Sequence, residues 1–150
     1  MREILFRGKR KDSGEWVEGR LLAADVIVPS GQEFSLEANC IYGCDKPIIG
    51  YEVDEETVGQ FTGLKDKNGK KIFEGDIVTA PYIDPIFHSV WNEGNLTENA
   101  VVKYADGMFY IEYVESKQKI TLFGLLNGAK EAAVIGNIHD NPELLKGTEQ

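Results

Sequence analysis

The run from Gln60 to Val78, QFTGLKDKNGKKIFEGDIV, constrains the fold more than any other part of the chain. Asn68-Gly69 is the strongest short hairpin signal, because both central residues of a type I′ turn need a positive φ. Gly75, between KKIF and IVTA, predicts a bulge or a sharp bend. The run therefore predicts strands joined by tight turns and not a ligand-binding loop. The structural turn positions in it are Gly63, Asn68, Gly69, Gly75 and Asp76.

An internal echo supports this interpretation. The segment GKRKDSGEWVEG, residues 8–19, resembles GLKDKNGKKIFEG, residues 63–75, and both have glycines at the same spacing before an aromatic residue and Glu-Gly. A repeat protein needs more copies than two. The echo instead indicates one hairpin design used twice, in which each glycine supplies a conformation that residues with a Cβ resist.

Most other segments alternate in polarity or are short and β-branched, which is typical of strands. Ala100–Val114 is the clearest hairpin, with Asp106-Gly107 as its turn. Tyr82–Asn99 is long and irregular and predicts an ordered, partly packed loop. Further strands are predicted at Arg2–Phe6, Glu15–Leu22, Ala24–Val28, Pro47–Val53, and in the segments KITLFGLL and AAVIGNI.

One short helix is predicted near the end of the chain. Asn141 is suited to the N-cap, Pro142 to the first helical position and Glu143 to the first turn. The pattern ends at Lys146 and Gly147. The prediction is therefore a helix of about two turns.

The charge balance argues against some partners. The 16 Lys and Arg face 25 Asp and Glu, a net charge of −9, and an acidic chain repels the phosphate backbone that supplies most non-specific nucleic-acid affinity. The basic clusters Arg7–Lys11 and Lys65–Lys71 are interpreted as solvated hairpin tips. Apolar runs are too short to span a bilayer, so no membrane contact is predicted. The charged start of the chain is unlike a secretory leader, which predicts a cytoplasmic protein with free thiols.

Three blocks together carry a family resemblance. MREILFRGKRKDSGEWVEG, TVGQFTGLKDKNGKKIFEGDIV and VIGNIHDNPELL resemble, in this order, the YopX family of phage and prophage proteins. His139 stands where an aromatic such as Tyr is expected, and the insert 82–99 is more individual. The resemblance implies a phage-encoded, host-cytoplasmic, mainly β protein that forms oligomers. It implies no agreed activity, substrate or cofactor, so no functional residue is carried over.

The fold prediction combines the strand pattern with that resemblance. It is a mainly β chain with an N-terminal β-hairpin region over residues 1–57. An SH3-like small barrel follows over residues 58–150, with the short helix after its last strand. Phe73 and Ile77 are expected to be buried on either side of the bend at Gly75.

Cys40 and Cys44 have a spacing that zinc sites use, with His88 and His139 as the nitrogen ligands that could complete a Cys2His2 set. No second close ligand pair exists, so free thiols are the preferred interpretation. Asp66, Glu74 and Asp76 could suggest a metal-bound carboxylate cluster, and the run that begins at Asp66 is similar to the start of a calcium loop. A calcium loop fails because Lys70 and Ile77 fall at the fifth and twelfth positions, where oxygen ligands are required.

Catalytic residues are not indicated. His139-Asp140 could be a base and its orienting carboxylate, but adjacent residues rarely face each other. The preferred interpretation is a polar residue before a helix cap.

Aromatic residues are the remaining candidates for binding. Alternation along MFYIEYV puts Phe109, Ile111 and Tyr113 on one face and leaves the face of Glu112 partly wet. Most aromatics are expected in the core, and Trp91 and Tyr110 are the candidates for exposed binding aromatics.

These observations predict a non-enzymatic module without a cofactor or resident metal, which binds a protein partner or assembles with itself. Two alternatives stay open. One is a small metal-dependent hydrolase that uses Cys40, Cys44, His88 and His139, or the acidic residues. The other is a weak single-stranded nucleic-acid binder that uses the basic hairpin tips.

Overall fold

The chain is mainly β, as predicted. A computed structural model describes residues 3–31, 50–81, 97–122 and 132–146. The strands in these ranges are β1 (Phe6–Lys9), β2 (Trp16–Ala23), β3 (Val26–Pro29), β4 (Tyr51–Glu52), β5 (Gly59–Lys65), β6 (Lys71–Phe73), β7 (Asp76–Pro81), β8 (Thr97–Ala105), β9 (Met108–Tyr113), β10 (Lys119–Thr121) and β11 (Ala133–Asn137). The helical turns are 3-10 helices, η1 (Glu55–Thr57) and η2 (Pro142–Leu145). Within the described ranges, no helix has the length and apolarity needed to cross a membrane.

The chain forms two compact units, residues 1–60 and 61–150, and β5 runs from the first into the second. The strand pairings among the described residues are all antiparallel. The sequence predicts two subdomains that meet between residues 57 and 58. That boundary stays a prediction, because compactness alone does not show that a unit folds separately.

In the first unit, the pairings of β1 to β4 return to their starting strand. β1 pairs with β2, β2 with β3 and β3 with β4. A bridge between Arg10 and Val53 then brings the end of β4 back to the end of β1. Beside it, the Lys11 N–H donates to the Glu52 carbonyl oxygen at 3.0 Å. These bonds use backbone N–H and carbonyl groups at the edge of the sheet that could otherwise pair with a strand of another chain.

Gly8 allows close packing inside this first unit. A Cβ at this position would lie 3.0 Å from Val53 Cβ and 3.2 Å from Ile27 Cδ1. Val53 and Ile27 are both fully buried. The missing side chain therefore lets the two apolar residues pack directly against the backbone of β1.

Strand β1 begins later in the chain than the predicted strand Arg2–Phe6, and it contains residues that were predicted to form a turn. That prediction is wrong because Arg7 and Lys9 face away from the core, on either side of Gly8. The Arg7 guanidinium carbon lies 4.8 Å and Lys9 Nζ 5.7 Å from the centre of the Trp16 ring. These cation–π contacts accommodate charged residues in the strand.

The second unit contains a sheet with the order β10-β9-β8-β7-β11. Its end strands β10 and β11 do not pair with each other in the described part of the chain, so the sheet is open there. The predicted SH3-like barrel is therefore not closed by these strands. The Val134 N–H of β11 instead donates to Asp66 Oδ2 at 2.9 Å, so the hairpin between β5 and β6 occupies that edge.

One face of this sheet carries the main core of the second unit. Tyr113 is fully buried in it, and its hydroxyl donates to the Pro81 carbonyl oxygen at 2.7 Å, which satisfies the polar end of the ring. The cluster comprises Ile72, Val78, Ala80, Ala100, Val102, Ile111, Tyr113, Leu122 and Ala132. The predicted alternation along β9 is confirmed, because Ile111 is also buried while Glu112 forms ion pairs with Lys103 and Lys119 at 3.2 and 3.6 Å.

The predicted C-terminal helix is a single 3-10 turn, η2, with Pro142 at its start. Asn141 occupies the N-cap position, but its side chain does not cap the turn. Its Oδ1 accepts a hydrogen bond from the backbone N–H of Asn137 at 3.3 Å instead. The predicted capping role is therefore wrong, because the side chain is committed to the end of β11.

The bend between β6 and β7 depends on Gly75, which has a φ of +84°. Its N–H donates to the Val102 carbonyl oxygen and its own carbonyl oxygen accepts from the Ile138 N–H, both at 2.9 Å. Phe73 and Ile77, on either side of the bend, are both buried as expected. The backbone at Gly75 is thus held in a left-handed conformation from both sides.

Replacing Gly75 by Val is expected to lower the free energy of unfolding by about 1–3 kcal/mol, because a β-branched residue is strained at positive φ. Gly75→Asn is the matched control and should cost less, because Asn tolerates the left-handed region. Urea denaturation of the two variants measures the difference. Equal stability of Gly75→Val and the wild type would contradict the assigned backbone conformation.

Candidate functional site

The Asp66 carboxylate organises the run from Gln60 to Val78. Oδ1 accepts hydrogen bonds from the backbone N–H groups of Asn68 and Lys70, each at 2.9 Å. Oδ2 accepts from the Val134 N–H at 2.9 Å. The side chain is 7% exposed, so these three donors replace most of its contact with water. The run therefore bends the backbone and attaches the bend to β11.

The turn at Asn68-Gly69 differs from the predicted type I′ geometry. Gly69 has a φ of +80°. In the described part of the chain, the non-glycine residues with a positive φ are Asp106 and Lys117, and Asn68 is not one of them. Asn68 is therefore outside that region. The Gly69 N–H donates to the Asp66 carbonyl oxygen at 3.0 Å. The type I′ prediction is wrong because the Asp66 side chain holds a three-residue loop, in which only the last residue needs the left-handed region.

The pKa of Asp66 reflects these contacts. Burial alone would raise it, but the hydrogen bonds from the N–H groups of Val134, Lys70 and Asn68 outweigh burial and hold the pKa below its usual value of 3.8. Hydrogen bonds to the ionised form favour that form. Asp66 is therefore a negatively charged structural group at neutral pH.

Asp76 and Gly63 complete the predicted turn positions. Asp76 is 1% exposed, and its Oδ2 accepts from the Phe73 N–H at 2.8 Å across the bend at Gly75. Gly63, in β5, has a φ of +86°. Among the described residues, no group of three or more His, Cys, Asp or Glu is arranged to hold a metal ion. The carboxylates of Asp66 and Asp76 bind backbone N–H groups.

The remaining candidate residues are the possible zinc ligands, the His-Asp pair and one aromatic residue. Cys40, Cys44, His88 and Trp91 lie outside the described residues. The backbone N–H groups of His139 and Asp140 both donate to Asn137 Oδ1, at 3.0 and 2.9 Å. These bonds form a turn after β11, and this position supports the structural interpretation of the His-Asp pair.

The basic cluster Arg7–Lys11 is partly neutralised by local acids. The Arg10 guanidinium contacts both carboxylate oxygens of Asp12, at 2.9 and 2.6 Å, and lies 3.9 Å from the centre of the Tyr51 ring. Lys11 Nζ lies 3.3 Å from Asp25 Oδ2. Paired charges of this kind weaken the case for phosphate binding at this hairpin.

A recess of about 230 Å³ lies along one end of β8. Its polar groups also serve the backbone, since Glu98 Oε1 accepts from the N–H groups of Glu115 and Ser116. Asn99 Nδ2 donates to the Leu144 carbonyl oxygen at 3.3 Å. The lining residues are Thr97, Glu98, Asn99, Val114, Glu115, Leu144 and Lys146. Both signs of charge are present in the recess.

Tyr110, a predicted exposed aromatic, is half-buried. It pairs with Lys103 on β8 and Thr121 on β10, and Lys119 Nζ lies 5.7 Å from the centre of its ring. The charged neighbours cover the ring on this face of the sheet. Tyr110 is therefore a weaker candidate for binding than the sequence indicates.

Large apolar residues are also exposed at Ile4, Leu22 and Ile135. Two more lie at the end of the same hairpin beside the half-buried Phe109, and we call Tyr104, Met108 and Phe109 the apolar hairpin tip. Tyr104 and Met108 are each 49% exposed. The Tyr104 and Phe109 rings pack with their centres 4.9 Å apart and their planes at 56°. The turn between the strands has φ of 51° at Asp106 and 78° at Gly107, as a type I′ turn requires. The tip is thus apolar and held by a tight turn.

Tyr104 and Met108 are not among the predicted exposed residues, although the sequence contains one signal for their exposure. Pairing between β7 and β8 extends only to Ile77 and Val101, so Tyr104 lies beyond it. Residues next to a two-residue turn lie at the end of a hairpin, where the neighbouring strand of the sheet has already ended and does not cover their side chains. Their exposure could have been inferred from the predicted turn at Asp106-Gly107.

Comparisons with known proteins agree with the described fold. A family model described as YopX protein matches residues 5–146. The crystal structure of protein EF1440 from Enterococcus faecalis is similar to this chain, with 28% sequence identity and a TM-score of 0.54 over 97% of this chain and 100% of that one. No curated protein matches the chain.

Asp66→Asn is expected to lower the free energy of unfolding by about 1–3 kcal/mol. Both carboxylate oxygens of Asp66 accept N–H bonds, whereas an amide has one accepting oxygen and an NH2 group that can only donate. Asp106→Asn makes the same chemical change at an exposed turn and should alter stability by less than about 0.5 kcal/mol. Urea denaturation at pH 7 compares the two. Similar losses in both variants would contradict the structural role of Asp66.

The stability difference between the wild type and Asp66→Asn should also depend on pH. Because the pKa of Asp66 is lowered in the folded state, its ionised form stabilises that state above the usual pKa, and this contribution is lost as pH falls below about 4. Denaturation curves from pH 7 to pH 2 measure the change. A difference that stays constant below pH 4 would exclude the carboxylate as its source.

Proposed function

Because this chain belongs to the YopX protein family, we propose that it is a phage-encoded, non-enzymatic module that binds a protein partner in the cytoplasm of a bacterial host. The apolar hairpin tip supports the proposal. Large apolar residues that share one exposed tip mark interaction surfaces more often than single exposed residues do. Tyr and Met are also enriched in protein interfaces.

The geometry of the tip suits binding. Tyr104 pairs with Phe109 across the two strands, and Ala105 pairs with Met108. This pairing fixes the backbone before a partner arrives, so association costs little additional ordering. Tyr104 and Met108 lie on opposite faces of the hairpin, because they belong to successive cross-strand pairs. A partner that encloses the tip would bury both side chains.

The buried acidic groups favour a binding role over catalysis. Asp66 and Asp76 both accept backbone N–H bonds at the two ends of β6. A catalytic carboxylate must reach its substrate directly or through one water molecule. The contacts of these two side chains instead stabilise turns, which a binding scaffold needs in order to present its surface.

The proposal can be tested with a photo-crosslinking residue at position 104. In host-cell extract, it should form an adduct with a defined protein, whereas the same residue at Arg20, an exposed position in β2 of the first unit, should not. Mass spectrometry identifies the adduct. Absence of an adduct at position 104, together with a monomeric mass in solution, would contradict the proposed function.

A charge in the tip should weaken binding to the captured partner. Met108→Glu is expected to raise the dissociation constant at least about tenfold, because burying the carboxylate costs more than burying the apolar side chain. Thr97→Glu adds the same charge at an exposed position on β8 and should leave the affinity unchanged. Titration calorimetry measures both, and equal affinities would remove Met108 from the interface.

A further inference from the structure

The edge of β8 beside the apolar hairpin tip is open in the described part of the chain. The pairing of β7 with β8 ends at Val101, whereas β8 continues to Ala105. One further backbone bond follows, in which the Gly75 N–H donates to the Val102 carbonyl oxygen at 2.9 Å. Beyond that bond, none of the described strands pairs with β8 on this side. Tyr104 therefore lies on a short length of unpaired strand.

The backbone groups of Tyr104 point toward this open edge. In an antiparallel pair of strands, opposed residues alternate between pairs that bond each other and pairs whose N–H and carbonyl groups point outward. The residues that flank a two-residue turn bond each other, so Tyr104 and Phe109 form the next, outward-pointing pair. The Phe109 carbonyl oxygen accordingly accepts from the Leu122 N–H at 3.0 Å, on the side away from β8. The Tyr104 N–H and carbonyl oxygen point the opposite way, and we call these two groups the Tyr104 edge.

We propose that an extended segment of the protein partner adds to the Tyr104 edge as a further strand. The inference rests on the proposed function and names the conformation in which the partner is bound. Strand addition uses main-chain hydrogen bonds for affinity and alternate side chains for specificity. One residue of the segment accepts a hydrogen bond from the Tyr104 N–H and donates its own N–H to the Tyr104 carbonyl oxygen.

The surroundings of the Tyr104 edge indicate which side chains the segment carries. The residue opposite Tyr104 lies on the face where the Tyr104 and Phe109 rings pack, with their centres 4.9 Å apart. Aromatic rings pair favourably with β-branched side chains across neighbouring strands. Asp106 is exposed at the adjacent turn, and it favours positive charge nearby. The segment is therefore expected to have a β-branched residue between lysine or arginine residues.

A different protein is favoured over a second copy of this chain as the source of the segment. Each copy has a net charge of −9, so repulsion between like charges opposes the approach of two copies. A segment with positive side chains is attracted instead, which speeds its association and sets its orientation.

Hydrogen exchange of the Tyr104 amide, measured by NMR on the full chain, tests the inference. In the free protein, this amide should be protected at least about tenfold less than that of Lys103, whose N–H bonds within the hairpin. The probe is the synthetic peptide Lys-Ser-Lys-Val-Lys-Ser-Lys. At saturation, it should slow exchange at Tyr104 at least about tenfold and leave Lys103 unchanged.

N-methylation of the peptide provides the matched control, because a methylated amide cannot donate and the charge of the peptide stays the same. Methylation at the valine removes the N–H that faces the Tyr104 carbonyl oxygen. Methylation at the lysine that follows it removes an N–H on the opposite edge of the peptide. The first change should abolish the slowing at Tyr104, and the second should preserve it. Equal effects of the two methylated peptides would indicate charge attraction without strand addition and would overturn the inference.

The free protein and the unmodified peptide give further results that would overturn it. If the Tyr104 amide is slow in the free protein at every concentration, the chain itself covers the edge. If the amide becomes faster on dilution, a second copy occupies the edge. No slowing by the unmodified peptide would also contradict strand addition.

The failure of this inference is distinguishable from the failure of the proposed function. A missing adduct at position 104 contradicts the proposed function. If an adduct identifies a partner, the same partner bound to the wild-type chain should slow exchange at the Tyr104 amide. A bound partner that leaves this exchange unchanged would support the proposed function and overturn strand addition, because the partner would then contact side chains without using the backbone.

Discussion

The bond from the Val134 N–H to the Asp66 carboxylate joins segments that are far apart in the sequence. The same carboxylate closes the hairpin between β5 and β6. It therefore determines the shape of a turn and also occupies the edge of the main sheet at β11. An apolar side chain at position 66 would leave three partly buried N–H groups without this acceptor, which costs more than the net gain of an ordinary hydrogen bond.

The two hairpins with similar sequences both donate a backbone hydrogen bond to the edge of a sheet. In the first unit, the Lys11 N–H donates to the Glu52 carbonyl oxygen at 3.0 Å. In the second, the Lys67 N–H donates to the Ala132 carbonyl oxygen, also at 3.0 Å. Each donor lies at a hairpin tip, and each acceptor lies in or next to an end strand. The repeated glycine pattern thus produces hairpins whose tips cover exposed edges, which limits unwanted pairing and leaves other surfaces free for specific partners.

Local pattern predicted most of the strands but not the surroundings of individual side chains. The hairpin at Asp106-Gly107 follows from its sequence, because the type I′ turn needs only two adjacent residues. Asn68-Gly69 has an equally strong local signal, yet a buried carboxylate imposes a different loop. Tyr110 was favoured over Tyr104 because alternation reports the face of a residue and not whether a neighbouring strand extends far enough to cover it.

By itself, the sequence determined the mainly β character, the bend at Gly75 and the alternation along β9, because these follow from backbone sterics and from the two faces of a strand. The tertiary structure alone decided that Asp66 holds β11, that Arg7 and Lys9 stack on Trp16, and that Tyr104 and Met108 stay exposed. Those outcomes depend on groups brought together from separate segments. Whether a polar or aromatic side chain is buried, paired or available to a partner is a property of that assembly and cannot be derived from its local sequence.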